Sequence, residues 1–218
     1  LEPGNWSDDQ LPVAGDVAVL GGDPAEGPSN ISGEDATSIG GHSLIVGANW
    51  SGNIGGDADA LSLDLTSFDY AGTGQCRINR QGSTTANVNI RNTGAPVSSG
   101  QFRALELAGT AAITNIRIMG GHEVYFASPF CDVSSVEVIG AGLVDVYLTG
   151  CSITNMKCNS GKVQFGICDN VEISGDAIAI ADGTITVVGN VDVYGGTLKW
   201  SAKGSVSTIF SGLRGFSG

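Results

Sequence analysis

Short period-two segments recur about every seven residues through the last third of the chain, and this spacing constrains the fold more than any other feature. They are Val171-Glu172-Ile173, Ile178-Ala179-Ile180, Ile185-Thr186-Val187, Val191-Asp192-Val193 and Leu198-Lys199-Trp200. Alternation of period two marks strands with one buried face. Seven residues hold a strand of three or four plus a sharp corner, and little else. Strands of a β-sandwich are commonly about 8–12 residues apart. A β-helix, with two or three short strands per coil, fits the closer spacing better.

Similar units precede them at Val88 to Ile90, Phe102 to Leu107, Ile113 to Ile118, Val133 to Val138, Leu143 to Leu148 and Ile153 to Cys158. Glycines such as Gly94, Gly109, Gly140 and Gly150 punctuate the units. The chain has 34 Gly in 218 residues, which calls for many turns. Aromatic residues make up only 6%, so the core must be built from aliphatic side chains. In a solenoid these stack from coil to coil without large rings. No window holds a helical period. Mostly strand, with parallel pairing between coils, is predicted.

The N-terminal part reads differently. Gly4-Asn5-Trp6-Ser7-Asp8-Asp9 leads through Leu11-Pro12 and Gly15-Asp16 into Val17–Leu20, and Ser43–Val46 with Asn49-Trp50-Ser51-Gly52 echoes it. Residues 21–41, rich in Gly, Pro, Ser and acids, read as loop. The end of a solenoid exposes unpaired backbone and apolar side chains, so it needs a cover. Residues 1–56 are therefore assigned as an N-terminal cap and attachment region, with Trp6 and Trp50 as its partner-binding candidates. Residues 57–218 are assigned as the β-helical domain. No closing cap is recognisable in Leu213–Gly218. Either the sequence is truncated there or that end packs on another subunit.

The net charge of −12 is unevenly placed. No Lys or Arg precedes Arg77, and the first 76 residues carry the whole imbalance. Such a surface repels phosphates, which argues against a nucleic-acid partner. No apolar run approaches the roughly 18 residues of a membrane span. Asp57, Asp59 and Asp64 supply hard oxygens, but they lack the spacing of an EF-hand loop. The default reading of the acids is a solvated face; the sharper one is a surface for a basic partner.

Five cysteines, Cys76, Cys131, Cys151, Cys158 and Cys168, form no C-x-x-C pair. Zinc-ribbon and redox motifs are thereby disfavoured, and reduced, buried thiols in a reducing cytoplasm are expected. His42 and His122 both follow paired glycines, so both are expected at turns on the surface. No nucleophile elbow, zinc-protease motif, P-loop or dinucleotide fingerprint is present. The serious enzymatic rival is a β-helix that cleaves polysaccharides with acids on one face. Its candidates are Asp132, Glu137, Asp145, Glu172 and Asp192. Each reads equally as the polar, outward residue of a strand.

Several passages resemble one family. Asn5-Trp6-Ser7-Asp8, then Leu11-Pro12-Val13 and Gly15-Asp16-Val17, are similar to the opening of phage proteins that read N-W-S-D, then L-P-x-x-G-D-x-V. Ser51-Gly52-Asn53-Ile54-Gly55 resembles their F-T-G-K-I-G element. Val191-Asp192-Val193-Tyr194-Gly195-Gly196-Thr197-Leu198-Lys199-Trp200 resembles their V-x-V-x-G-G-T-V-x-W coils. The loop at 21–41 and the Cys-bearing coils at 151–168 depart from that pattern. The family is that of tailed-phage β-helical capsid decoration (cement) proteins. The resemblance implies a virion structural protein on the capsid outer surface, assembled in the host cytoplasm. It implies binding to the major capsid protein and to itself, with a homotrimer favoured by analogy. It brings no catalytic residues.

The expectations are therefore an all-β, single-stranded, right-handed β-helix (solenoid) with an N-terminal cap region. The chain is expected to be non-enzymatic, with no cofactor or metal, no nucleic-acid partner and no membrane association. The alternatives are a tailspike-like or secreted β-helix that binds or cleaves polysaccharide, and a bacterial surface adhesin.

Overall fold

The computed structural model describes residues 13–21, 31, 42–56, 60–82, 84–95, 104–127, 131–140, 145–182, 187–200 and 210–215. These residues form strands and turns, with no helix among them. The first eight strands are β1 (Val17–Leu20), β2 (His42–Val46), β3 (Leu61–Leu63), β4 (Leu65–Tyr70), β5 (Cys76–Arg80), β6 (Thr85–Ile90), β7 (Leu105–Ala108) and β8 (Ile113–Ile118). Then follow β9 (Glu123–Phe126), β10 (Cys131–Val138), β11 (Asp145–Cys158), β12 (Lys162–Ile173), β13 (Ile178–Ala181), β14 (Val187–Val193), β15 (Thr197–Trp200) and β16 (Phe210–Gly215).

The strands stack into a β-solenoid, with parallel pairing between coils along two ladders. One ladder runs β1-β2-β4-β6-β8-β10, continues through the second half of β11 and of β12, and ends in β14 and β16. The other runs β3-β5-β7-β9, through the first half of β11 and of β12, to β13 and β15. A coil is typically about twenty residues long: Ile118 pairs with Val138, Val138 with Cys158, and Ile173 with Val193. Three of the seven-residue units predicted from sequence fill one such coil.

Strand β11 shows how a coil is built. Val146 and Leu148, then Cys151 and Ile153, then Met156 and Cys158 point inward in three short runs. Between the last two runs, Thr154 and Asn155 both face outward, so alternation breaks and the strand turns a corner. The same double-outward step recurs in β6, β8, β10 and β12. Inward side chains meet their counterparts one coil away, for example Val136 on Met156 and Met156 on Val171. Burying each such aliphatic side chain contributes about 1.5–3 kcal/mol, which explains how a core poor in rings suffices.

Glycine matters most where neighbouring corners nearly touch. Gly109 adopts φ +104°, and a Cβ there would overlap the carbonyl oxygen of Arg80. A Cβ on Gly74 would likewise overlap the carbonyl of Gly52 one coil away. Gly109 needs both the missing side chain and the free backbone, whereas Gly74 needs only the missing side chain.

Pairing continues without a break across residue 56. His42 pairs with Leu65, and Ile54 bridges both Ile31 and Cys76. Residues 17–20 and 42–46 thus extend the same ladder as the later coils. One expectation is corrected here: His42 is buried, not a surface turn residue. It opens β2 at an inward position stacked on Leu65, so its ring points to the core side of the coil. His122 is exposed at a bend, as read from its glycines.

Candidate functional site

The outer face of the first ladder carries two polar columns. At the corner, Ser43, Ser67, Asn87, Asn115, Ser135, Asn155, Asn170 and Asn190 follow one another in register. The Asn115 amide nitrogen donates to the Asn87 side-chain oxygen at 3.1 Å, and Asn190 donates to Asn170 at the same distance. The Ser67 hydroxyl donates to that of Ser43 at 2.8 Å. Sequence reading missed this ladder. Its signal is a small or polar residue followed by Asn, before apolar-x-apolar: Ala86-Asn87-Val88, Thr114-Asn115-Ile116, Thr154-Asn155-Met156, Asp169-Asn170-Val171 and Gly189-Asn190-Val191.

Two residues further on, Asp69, Asn89, Arg117, Glu137, Lys157, Glu172, Asp192 and Arg214 form the second column. Ion pairs link its neighbours. Arg117 lies 3.1 Å from Glu137, Lys157 3.2 Å from Glu172, and Arg214 3.6 Å from Asp192. On the other ladder, Lys162 lies 3.5 Å from Asp145 and Arg77 3.1 Å from Glu106. Four of the five acids considered for sugar cleavage are therefore held by a base across coils. The fifth, Asp132, is exposed beside Ser152. The structure does bring Glu172 and Asp192 together, in register on adjacent coils.

Both columns change character at the first coils. Val17 stands at the head of the corner column and Val19 and Ile45 at the head of the charged one. All three are exposed, Val17 by 55%, and Val13 just before β1 is exposed too. Trp50 is partly buried against the core, with its backbone N–H donating to Gly47 and its carbonyl accepting from Thr73. Its indole N–H is buried without an acceptor among the described residues. Trp6, Asp57 and Asp59 lie outside the described residues. Among those described, no group of three or more His, Cys, Asp or Glu side chains gathers to hold a metal. The outer face of the second ladder bears Tyr125 and Tyr147 in register, their rings edge to face at 5.9 Å.

All five cysteines are buried. Burial pushes the Cys158 thiol up to about 12, with the nearby Cys168 adding to it. Burial likewise pushes Cys168 up to about 12 and raises Cys76 further still. Cys131 and Cys151 differ. They are directly paired in register, with their sulfurs 3.4 Å apart. Arg80 reaches the same interior corner, only 2% exposed. Its guanidinium donates to the carbonyls of Ala111 at 2.7 Å and Gly109 at 3.3 Å, and lies against Cys131. The hydrogen bond from Cys151 comes first in lowering the Cys131 thiol, and Arg80 adds its charge against the opposing effect of burial. The same contact, followed by burial, raises Cys151.

Comparison of the chain with protein-family models, with curated proteins and with solved structures finds no match.

Proposed function

We propose that this chain is a non-catalytic structural protein which decorates and stabilises the capsid of a tailed phage by binding its major capsid protein. The observation that carries the reading is the change along the outer face. Columns of asparagine and ion pairs give way, at the first coils, to Val17, Val19 and Ile45. Exposed apolar side chains grouped at one end of an otherwise polar face favour a contact with another protein. The cross-coil ion pairs support a structural use of the acids, and continuous parallel pairing favours a stiff body suited to bracing a shell. The capsid setting itself comes from the family resemblance.

The test measures co-sedimentation of the full chain with undecorated shells, assembled from the major capsid protein of the genome that encodes it. Saturable binding that ignores salt and falls at least about tenfold in Val17→Ser/Val19→Ser supports the reading, because an apolar contact is not screened. Absence of binding, or unchanged binding in the double variant, overturns it. Sedimentation of the unbound protein decides between monomer and the proposed trimer.

One observation favours a second reading, a polysaccharide-cleaving β-helix. Glu172 and Asp192 are neighbouring carboxylates on adjacent coils, a disposition that glycosidases use. Release of reducing ends by the protein, lost in Glu172→Gln, would replace the structural assignment.

A further inference from the structure

We propose that Cys131 and Cys151 are a peroxide-sensitive dithiol that closes into a disulfide between neighbouring coils, with Arg80 marking Cys131 as the sulfur that reacts first. The geometry is specific to this pair. In-register neighbours on parallel strands have Cα atoms about 4.8 Å apart, inside the range of about 4.4–6.8 Å that a disulfide spans. The two sulfurs already face each other at 3.4 Å. Strand β12 passes the corner with Gly166 alone, where β11 uses Thr149, Gly150 and Cys151, so no side chain follows Cys151 in its column.

Arg80 supplies the second, independent observation. A buried guanidinium keeps its charge and calls for an anion. Its described partners are neutral: the carbonyls of Gly109 and Ala111 and the Thr85 hydroxyl. Its Nε has no acceptor. The acidic groups recorded beside it are the thiols of Cys131 and Cys151. An Arg80–thiolate pair at Cys131 satisfies the charge, and a thiolate is the form of cysteine that oxidises. Among the described residues no such cation stands beside Cys158 or Cys168, and burial holds them as thiols.

The oxidant is a small hydroperoxide, since both sulfurs are buried. The Cys131 thiolate attacks one peroxide oxygen. An S–O bond forms, the O–O bond breaks, and the other oxygen leaves as water or an alcohol after taking a proton. Cys131 is then a sulfenic acid, oxidised by two electrons while the peroxide is reduced. The Cys151 sulfur attacks Cys131 Sγ. The S–S bond forms, the S–O bond breaks, and hydroxide takes the Cys151 proton and leaves as water. The two sulfurs close from 3.4 Å to about 2.0 Å, and the coils are then riveted together without any change of strand partner.

The experiment treats the intact protein with hydrogen peroxide and counts thiols after unfolding. The expected count falls from five to three, with a single disulfide mapped to the peptides of Cys131 and Cys151. Cys151→Ser should stop at a sulfenic acid on Cys131, trapped by a dimedone-type reagent. Cys131→Ser should leave its four thiols intact. Arg80→Met should slow oxidation at least about tenfold, with Arg80→Lys in between. If Arg80→Met does not fold, Arg80→Lys carries the test: slower oxidation than in the unaltered protein supports the role of Arg80, and an unchanged rate overturns it. Survival of all five thiols, or a bridge between Cys158 and Cys168, overturns the proposal as a whole.

Discussion

The side-chain nitrogen of Asn170 lies 3.1 Å from the side-chain oxygen of Asn155, one coil earlier, and Asn170 accepts in turn from Asn190. Asn170 thus sits inside a hydrogen-bonded column that follows the solenoid axis, at the corner where two successive residues face outward. The column ties coils together where the ladder must bend.

Asn170→Ala removes both bonds of the column and a longer one, at 3.4 Å, to the Thr154 carbonyl, and touches no core residue. A net loss of about 1–2 kcal/mol is expected, since each intramolecular hydrogen bond contributes about 0.5–1.5 kcal/mol net. Asn190→Ala removes the single recorded side-chain bond to Asn170 and should cost about half as much. Urea midpoints of the two variants check the order; equal midpoints would mean that water replaces the ladder at no cost.

Much of the fold was legible from the outset because it depends on alternation. The segments at Val171–Ile173, Ile178–Ile180, Val191–Val193 and Leu198–Trp200 all lie in paired strands, although at Ile178–Ile180 it is Ala179 that points inward and the two isoleucines are half-buried. The corner was less legible because two outward residues in a row, as at Asp169-Asn170, look like a lapse in the pattern rather than part of it. His42 was misread because its glycine neighbours signal a turn, while its register with Leu65 depends on a residue 23 positions later. The interior corner of Arg80, Cys131 and Cys151 was invisible for the same reason: its members are brought together only by stacking. The outward acids were rightly seen as strand residues, but their bases could not be assigned without the register.

Glu172→Gln and Asp192→Asn should each change stability by less than about 1 kcal/mol. Each loses one exposed ion pair, worth about 0–1 kcal/mol. Each also relieves the like charge directly opposite it, which offsets the loss. The shift should shrink further in high salt. Thermal melts at two ionic strengths check this, and a large, salt-independent loss would show that these carboxylates hold the corner in some other way.

Arg80→Ala should be far more damaging. It strands the Gly109 and Ala111 carbonyls and the thiol pair without their donor, and leaves a cavity at a site 2% exposed. Each buried carbonyl left without its donor costs about 1–3 kcal/mol, and the cavity adds to that loss. Arg80→Met, which restores volume and removes the charge, should recover part of that loss. Denaturant unfolding of both variants, with thiols kept reduced, separates packing from charge.

The last expectation concerns alkaline pH. Cys158 and Cys168 are pushed up to about 12, mainly by burial, and Cys76 and Tyr70 are raised in the same direction. A thiol in the unfolded chain ionises near 9.0. Between that value and about 12 the folded state therefore binds more protons than the unfolded one, and stability falls as pH rises. The stabilisation from keeping these groups neutral is fully present below the unfolded value and is lost on passing upward through the folded ones. Cys131 has the opposite sign, because its folded thiol is lowered. Its contribution is present above the unfolded value and fades as pH falls through the folded one. The melting temperature should accordingly decline steeply only above about pH 9. Replacing Cys158 by Ala should lower the whole profile slightly for the lost packing, yet flatten its alkaline slope. A profile that keeps the same slope in Cys158→Ala would show that the buried thiols do not govern alkaline unfolding.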